Sequence, residues 1–169
     1  MLELKGSKTA KNLQEAFAGE SQANRKYLAF ADKAEAEGHK QVAKLFRAAA
    51  AAETVHAHAH LRALGGIKST TENLQEAITG ETHEFSSMYP QMIKEASSEG
   101  FDVALRSFSF ANTVEKVHAE LYQKAFDNLG SNQAVDYYVC KVCGNTIEGE
   151  PHGPCPVCLA GPVAFFKVD

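Results

Sequence analysis

Four cysteines near the C-terminus carry the most specific chemical signal in the sequence. They form two Cys-x-x-Cys pairs, Cys140/Cys143 and Cys155/Cys158, separated by a segment rich in glycine and proline. Two such pairs supply four thiolates to a tetrahedral site, which commonly holds zinc or a single iron. The pattern indicates metal ligation rather than a disulfide framework. Spacing alone leaves the metal open, and a structural zinc ribbon is the commoner object.

Two Glu-x-x-His pairs lie in the alanine-rich part of the chain, Glu53/His56 and Glu115/His118. Residues three apart share one face of a helix. Apolar residues precede both pairs on that face, so we expect the pairs to point into a helical bundle. One pair alone would more often be a solvated helix face than a site.

An internal repeat connects the two pairs and adds two glutamates to them. The sequence of residues 12–20 is repeated, with changes, at residues 73–81, so that Glu20 corresponds to Glu81. The sequence of residues 53–57 is likewise repeated at residues 115–119. One glutamate from each of two helices, with Glu-x-x-His from each of two others, is the ligand set of di-iron sites in four-helix bundles. Four buried carboxylates need a cationic partner, and oxygen with imidazole donors suits iron or manganese.

The repeat breaks three residues after Glu81, where Glu84 corresponds to Ala23 in the first copy. A fifth carboxylate would serve only one half of the site. Ferric iron prefers an anionic oxygen, whereas ferrous iron tolerates the neutral imidazole of His56. We therefore expect one metal to exchange Glu84 and His56 with its redox state, although periodicity alone equally allows a surface charge.

Other aromatic and histidine side chains near these motifs are weaker candidates for the metal site. Tyr27 and Tyr89 follow the two repeated glutamates and could hydrogen-bond ligand carboxylates, but ordinary core tyrosines are as common. The remaining histidines are interpreted as structural or solvated: His39, His58, His60, His83 and His152.

Long helices must position the Glu and His residues. Residue composition and the spacing of glycines predict helices over 9–37, 40–64, 70–99 and 102–129. Ser69 and Glu72 fit a capping box, and Asp102 fits a helix N-cap. Pro90 falls inside the third helix and should kink it or break a backbone hydrogen bond there. After residue 130 helical periodicity ends, which predicts one domain over 1–132 and a small module of loops and short strands over 133–169.

These motifs together resemble the rubrerythrin family over nearly the whole chain. The resemblance rests on residues 18–23 (AGESQA), both Glu-x-x-His pairs, residues 80–84 with 88–90 (MYP), and the cysteine knuckles. It implies an all-α, ferritin-like four-helix bundle followed by a rubredoxin-like domain. It also implies reduction of hydrogen peroxide, with electrons drawn from NAD(P)H through a separate reductase or rubredoxin.

The resemblance assigns a role to each ligand of the two-iron site. Glu53 and Glu115 would bridge the irons. The terminal ligands would be Glu20 on one iron, Glu81 and His118 on the other, and Glu84 exchanging with His56 on the first. A further iron, replaced by zinc in some recombinant material, would lie at Cys140, Cys143, Cys155 and Cys158.

The sequence departs from the family at Leu159, where a rubredoxin usually has glycine directly after its last cysteine. That glycine permits a positive φ and allows backbone amides to point at sulfur. The four ligands are unaffected, but the local geometry and the potential of the site could change.

Bulk properties exclude several classes of protein. The 169-residue chain has a net charge of −4, which argues against nucleic acid as a partner. No apolar run approaches the ~20 residues of a membrane span. Residues 1–6 lack the apolar region of a signal peptide, so the cytoplasm is expected. Two alternatives to an enzyme stay open: a ferritin-like iron-storage or iron-sensing protein, and a zinc-ribbon interaction module on an inert bundle.

The short connection between the second and third helices predicts an assembly. A helix of ~25 residues spans roughly 37 Å, whereas residues 65–69 reach at most ~18 Å when fully extended. A bundle closed within one chain needs a long crossover at this point. We therefore expect two chains to exchange helical hairpins in a homodimer or a larger oligomer.

Overall fold

The computed structural model describes residues 4–169. Residues 1–3, which include the start of the predicted first domain and half of the segment that lacks a signal peptide's apolar region, lie outside the described range. The chain divides into two compact units, the first ending at Lys68 and the second comprising Ser69–Asp169. None of the described helices is long and apolar enough to cross a membrane.

The first unit is a hairpin of two long helices, α1 (Lys8–Ala36) and α2 (Lys40–Ala63). The side chain of Ser7 caps α1 by accepting a hydrogen bond from the backbone amide of Ala10. Gly38, with φ of +84°, lies in the short turn between the helices. Because glycine has no Cβ, it adopts this left-handed conformation at little cost.

Small side chains fill the contact between α1 and α2. The buried residues, which we call the alanine seam, are Ala31, Ala34, Ala43, Ala50 and Ala57, together with Asn24. The Asn24 amide donates to the Ala50 carbonyl at 2.7 Å and to Thr54 Oγ1 at 2.9 Å, which ties the two helices together. Larger apolar side chains remain outside the seam: Leu45 is 68% exposed and Val55 is 63% exposed.

Three aromatic rings pack together near the turn of this hairpin. Tyr27, Phe30 and Phe46 have ring centroids 5.6–6.4 Å apart. Of the two interpretations open for Tyr27, this packing supports that of a core tyrosine.

The second unit begins with α3 (Thr70–His83), continues through a π-helical turn (Glu84–Met88) into α4 (Tyr89–Glu99), and returns along α5 (Asp102–Asp127). The predicted capping box of Ser69 and Glu72 is present. The predicted cap at Asp102 is wrong, because Phe101 occupies the N-cap and Asp102 is the first helical residue. The carboxylate of Asp102 still lies in the first turn, where the helix dipole favours it.

The predicted disturbance at Pro90 is present as the π-helical turn that precedes it. Proline has no N–H to donate, so it cannot bond the carbonyl four residues earlier. The Tyr89 amide instead donates to the Glu84 carbonyl, five residues back. The helix predicted over 70–99 is therefore two α-helices with Glu84 in the wider turn between them.

The C-terminal module contains a three-stranded antiparallel sheet, with strands β1 (Tyr137–Cys140), β2 (Thr146–Glu148) and β3 (Phe165–Val168) in the order β2-β1-β3. The predicted short strands are thus confirmed, and the boundaries of all four predicted helical segments agree within two residues. The domain boundary at residues 132 and 133 stays a prediction.

Candidate metal centres

The first unit brings together Glu20, Glu53 and His56, which we call the first Glu/His group. One ligand atom from each lies within 4.8 Å of the others. Glu20 comes from α1, while Glu53 and His56 lie three apart on α2, so that His56 Nδ1 is 2.8 Å from Glu53 Oε2. The Glu53 side chain is 18% exposed, whereas that of His56 is 55% exposed.

The second unit repeats this arrangement with Glu81, Glu115 and His118, the second Glu/His group. The ligand atoms again lie within 4.8 Å of one another. His118 Nδ1 is 2.7 Å from Glu115 Oε2 and 3.9 Å from Glu81 Oε1. All three side chains are half-buried, so the repeat in sequence is also a repeat in local geometry.

Negative charge dominates the second group. Burial is the largest of the causes that raise the pKa of Glu81 from 4.5 to about 7; the adjacent Glu115 and Glu84 carboxylates also raise it, while His118 lowers it. A cation among these donors would relieve the same repulsion. Carboxylate oxygens and an imidazole nitrogen at this spacing fit a divalent ion such as iron.

Glu84 and Tyr89 flank the second group without joining it. Among the described residues, Glu84 does not converge with the other three donors, although its charge helps to raise the pKa of Glu81. Burial raises the pKa of Tyr89, and so do Glu115, Glu84 and Glu81 in that order. The Tyr89 hydroxyl therefore lies in the field of these carboxylates, which supports, of the two interpretations left open for it, the one that places it beside the ligands.

The four cysteines form the third candidate centre. All four sulfurs lie within 4.8 Å of one another, with Cys140–Cys158 and Cys143–Cys155 Sγ–Sγ distances of 3.6 Å. A disulfide bond is far shorter, at about 2.05 Å. A tetrahedral ion with metal–sulfur bonds of about 2.3 Å would set its sulfurs about 3.8 Å apart. The cysteine geometry therefore fits a tetrahedral metal.

Backbone amides favour a thiolate at the first cysteine. Burial opposes ionisation of Cys140, but backbone N–H groups of Val142 and Cys143 hydrogen-bond its sulfur and hold its pKa at about 7. Burial raises the pKa of Cys143 and of Cys158. Sulfurs this close cannot all ionise without a cation, so a bound metal would complete the cluster.

Two features of these centres were not predicted. Thr146 Oγ1 lies 3.0 Å from His118 Nε2, a contact between residues 28 positions apart for which the sequence gives no signal. His58, interpreted as structural or solvated, lines a cavity of about 240 Å³ that Glu53 also lines. In the part of the chain that the structure describes, none of the five histidines other than His56 and His118, His58 included, belongs to a ligand group.

The helical segment that carries both Glu/His groups also decides the family. The sequence profile of rubrerythrin matches residues 11–126, a stretch that includes every Glu and His of the two groups. The chain belongs to the rubrerythrin family. This family comprises iron-binding oxidoreductases of oxidative-stress defence that contain a di-iron site and a cysteine site.

Individual rubrerythrin relatives match most of the chain. Nigerythrin of Nitratidesulfovibrio vulgaris is 35% identical, with 89% of this chain and 82% of the relative covered. Rubrerythrin-2 of Clostridium acetobutylicum is 34% identical over 93% of this chain and 95% of its own. A structure described as the fully reduced, all-ferrous state of nigerythrin matches with a TM-score of 0.59 and 33% identity, covering 98% of this chain and 91% of that chain. The predicted fold class, a ferritin-like helical protein with a rubredoxin-like module, is confirmed.

Proposed function

We propose that this rubrerythrin is a non-haem di-iron peroxidase that reduces hydrogen peroxide to water. The observation that supports this most is the presence in one chain of two Glu/His groups with matching geometry and a four-sulfur cluster. The first two provide ligands for a pair of irons, and the third provides a place for electrons to enter. The ferrous iron named for the matched nigerythrin structure is in keeping with this assignment.

The two Glu/His groups would together hold the two irons. Glu53 and Glu115, which are less exposed than the histidines they pair with, would each bridge the two irons. The remaining ligands would be Glu20, His56, Glu81, Glu84 and His118. When bound, the two ferrous ions would supply the two electrons that, with two protons, convert one hydrogen peroxide into two water molecules.

Glu84 and Tyr89, beside the second Glu/His group, would have different roles in the reaction. Glu84 lies in the π-helical turn, and such turns often occur at functional sites. From there it would replace His56 when the neighbouring iron is oxidised. Tyr89, in the field of three carboxylates, would donate a hydrogen bond from its hydroxyl to one of them and hold that carboxylate in place.

The four cysteines would hold one iron that receives electrons from a separate NAD(P)H-linked reductase or rubredoxin. Cys143 and Cys158 are half-buried and line a surface groove of about 580 Å³ beside α5. Such a position would let an electron donor approach the cluster. Cysteine pairs that bind metal instead of forming disulfides are typical of reducing compartments, which supports the cytoplasm as the place of action.

The working form would be a dimer, or a larger oligomer, in which the hairpins are exchanged. Only residues 64–69 connect α2 to α3. The large apolar side chains Leu45 and Val55 on α2 are mostly exposed in the single chain. The second hairpin of another copy would cover them and would bring the second Glu/His group to the first.

Anaerobic single-turnover kinetics tests the activity. Protein reduced to the all-ferrous state is mixed with one equivalent of hydrogen peroxide or of dioxygen, and oxidation of the di-iron site is followed by its absorption. We expect peroxide to react much faster than dioxygen. Faster reaction with dioxygen, together with a large multi-subunit shell by size-exclusion mass, would instead favour iron storage. Colourless protein that carries only zinc would favour the interaction module.

A further inference from the structure

The C-terminal module contacts a ligand of the second Glu/His group through one hydroxyl. Thr146 is the first residue of β2, and its Oγ1 lies 3.0 Å from Nε2 of His118 on α5. The opposite ring nitrogen, Nδ1, faces Glu115 and Glu81. His118 is thus held at both nitrogens, by the ligand carboxylates on one side and by Thr146 on the other.

The Thr146 hydroxyl can accept a hydrogen bond because its own proton has an acceptor. Oγ1 lies 3.2 Å from the backbone carbonyl of Gly144, to which it donates. Its lone pairs then remain for the Nε2–H of His118. When a metal ion takes the place of the proton that Nδ1 shares with Glu115, a proton on Nε2 leaves the Nδ1 lone pair to bind that ion, as a metal ligand must.

The corresponding histidine of the first group has no such support. His56 Nδ1 pairs with Glu53 as His118 Nδ1 pairs with Glu115. In residues 4–169, however, no partner is found for His56 Nε2, and its side chain is more than half exposed. The two groups therefore share one geometry but differ in how firmly their imidazoles are held.

We propose that Thr146 is a positioning residue for His118, which it fixes in the Nε2–H form with Nδ1 directed at the metal. The proposal rests on the proposed metal site and adds to it a reason for its asymmetry. A firmly held His118 keeps its iron ligated throughout, while an unsupported His56 is free to leave its iron. The same hydroxyl links the module that carries the cysteines to the second group, through Gly144, the residue that follows Cys143.

A metal titration tests the proposal without peroxide. Co²⁺ is titrated into metal-free Glu/His sites of protein whose cysteine site already holds Zn²⁺, and its absorption is followed. Loss of a hydrogen bond behind a metal-binding histidine typically costs 10–100-fold in affinity. We expect that loss for Thr146→Val, and affinity close to that of the native protein for Thr146→Ser, which keeps the hydroxyl. Equal weakening by both, or by neither, would overturn the proposal.

Two matched variants separate positioning from structural support. Thr113→Val makes the same substitution at an exposed position of α5 whose hydroxyl bonds only the Ser109 carbonyl in its own helix. Lys124→Gln removes the ion pair with Glu148, a second contact of the module with α5. We expect neither to weaken Co²⁺ binding. If Lys124→Gln weakened it as much as Thr146→Val, docking of the module rather than the Thr146 hydroxyl would be responsible.

Nitrogen-15 NMR of the fully Zn²⁺-loaded protein gives a second readout. We expect a slowly exchanging Nε2–H signal from His118 in the native protein and in Thr146→Ser. In Thr146→Val this proton should exchange rapidly, while the His56 signals stay unchanged. A protected His118 Nε2–H in Thr146→Val would contradict the proposal. Failure of the peroxide assay would leave both results untouched, since neither experiment depends on the reaction.

Discussion

Leu159 occupies the same place in the second cysteine knuckle as Gly144 does in the first. Each directly follows the last cysteine of its knuckle, with φ of +62° for Leu159 and +83° for Gly144. Each donates its amide to the carbonyl of the first cysteine of that knuckle, Leu159 to Cys155 at 2.9 Å and Gly144 to Cys140 at 2.8 Å. The geometry of the missing glycine is thus retained, and the leucine is strained to retain it.

Replacing Leu159 by glycine should stabilise the module. A side chain in the left-handed region destabilises the folded state by about 1–2 kcal/mol. Glycine removes this strain, but its greater conformational freedom in the unfolded chain lowers the free energy of unfolding by about 0.5–1 kcal/mol. We expect a net gain of about 0.5–1 kcal/mol in the denaturant unfolding of the Zn²⁺-loaded protein. Leu159 is 78% exposed, so little packing is lost. Leu159→Ala keeps the strain and serves as the control; an equal gain in that variant would show that strain is not the cause.

Metal-free protein should lose stability as the pH rises through about 7, because of Glu81. Its pKa in the folded protein is about 7, against an ordinary value of 4.5. The folded state therefore holds a proton that the unfolded chain has already released, and its contribution is complete below pH 4.5. Unfolding free energies measured between pH 4.5 and 8 should fall more steeply for the native protein than for Glu81→Gln. Glu120→Gln, at an exposed position of α5, should keep the native slope.

Removal of Glu84 should impair turnover more than iron binding. Glu84 lies outside the converging atoms of Glu81, Glu115 and His118, so those three ligands persist in Glu84→Ala. We expect iron content near that of the native protein and a fall of more than about tenfold in peroxide turnover, of the order seen when a group acting in the transition state is lost. Glu120→Ala is the matched control. Proportional loss of iron and activity would make Glu84 an ordinary ligand.

Cys158→Ser should stop electron transfer from the cysteine site to the Glu/His groups without changing the Glu/His groups themselves. Serine removes one of four thiolates and should prevent iron at the cysteine site from accepting electrons, while the Glu/His groups are untouched. Protein reduced chemically should then still consume one equivalent of peroxide at the native rate. Cycling driven by a reductase and NAD(P)H should cease. Equal loss in both assays would mean that the cysteine site has a structural role.

Mixed refolding of Glu53→Ala and Glu115→Ala variants should restore activity if hairpins are exchanged. In an exchanged heterodimer, one site combines both damaged hairpins and the other combines both intact ones. Random pairing would leave about a quarter of all sites whole, because half of the dimers are heterodimers and each has one intact site. Peroxide turnover of the mixture, compared with each variant refolded alone, measures this. Without exchange every site carries one substitution, and activity should not recover.

The helices and the two Glu-x-x-His pairs could be predicted because the determining interactions are local. Glu53 and His56 meet because residues three apart share a helix face, and the repeat carries the same geometry to Glu115 and His118. The capping box of Ser69 and Glu72 is likewise contained in four residues. The spacing of the cysteines within each knuckle fixes two sulfurs at a time. In all these cases the residues that meet in space are also close together in the sequence.

The contacts that could not be predicted depend on tertiary packing. Thr146 reaches His118 only because β2 packs against α5, and nothing in the pattern around either residue marks the contact. Pro90 predicted a disturbance, but not that a wider turn would absorb it and place Glu84 within that turn. The departure at Leu159 was visible in the sequence. Its consequence was not, because leucine could have abandoned the positive φ instead of keeping it.

The alanine seam has a consequence for how the protein is made. Alanine side chains let two helices approach closely but bury little apolar area. The seam therefore stabilises the first hairpin only slightly against the conformational entropy that is lost when the hairpin folds. A ribosome would release this hairpin well before the second one is complete. With its large apolar residues still uncovered, the nascent half-chain would depend on another chain to finish folding. If the hairpins are exchanged as proposed, then synthesis, folding and assembly would form one process, and its yield would rise with the local concentration of chains.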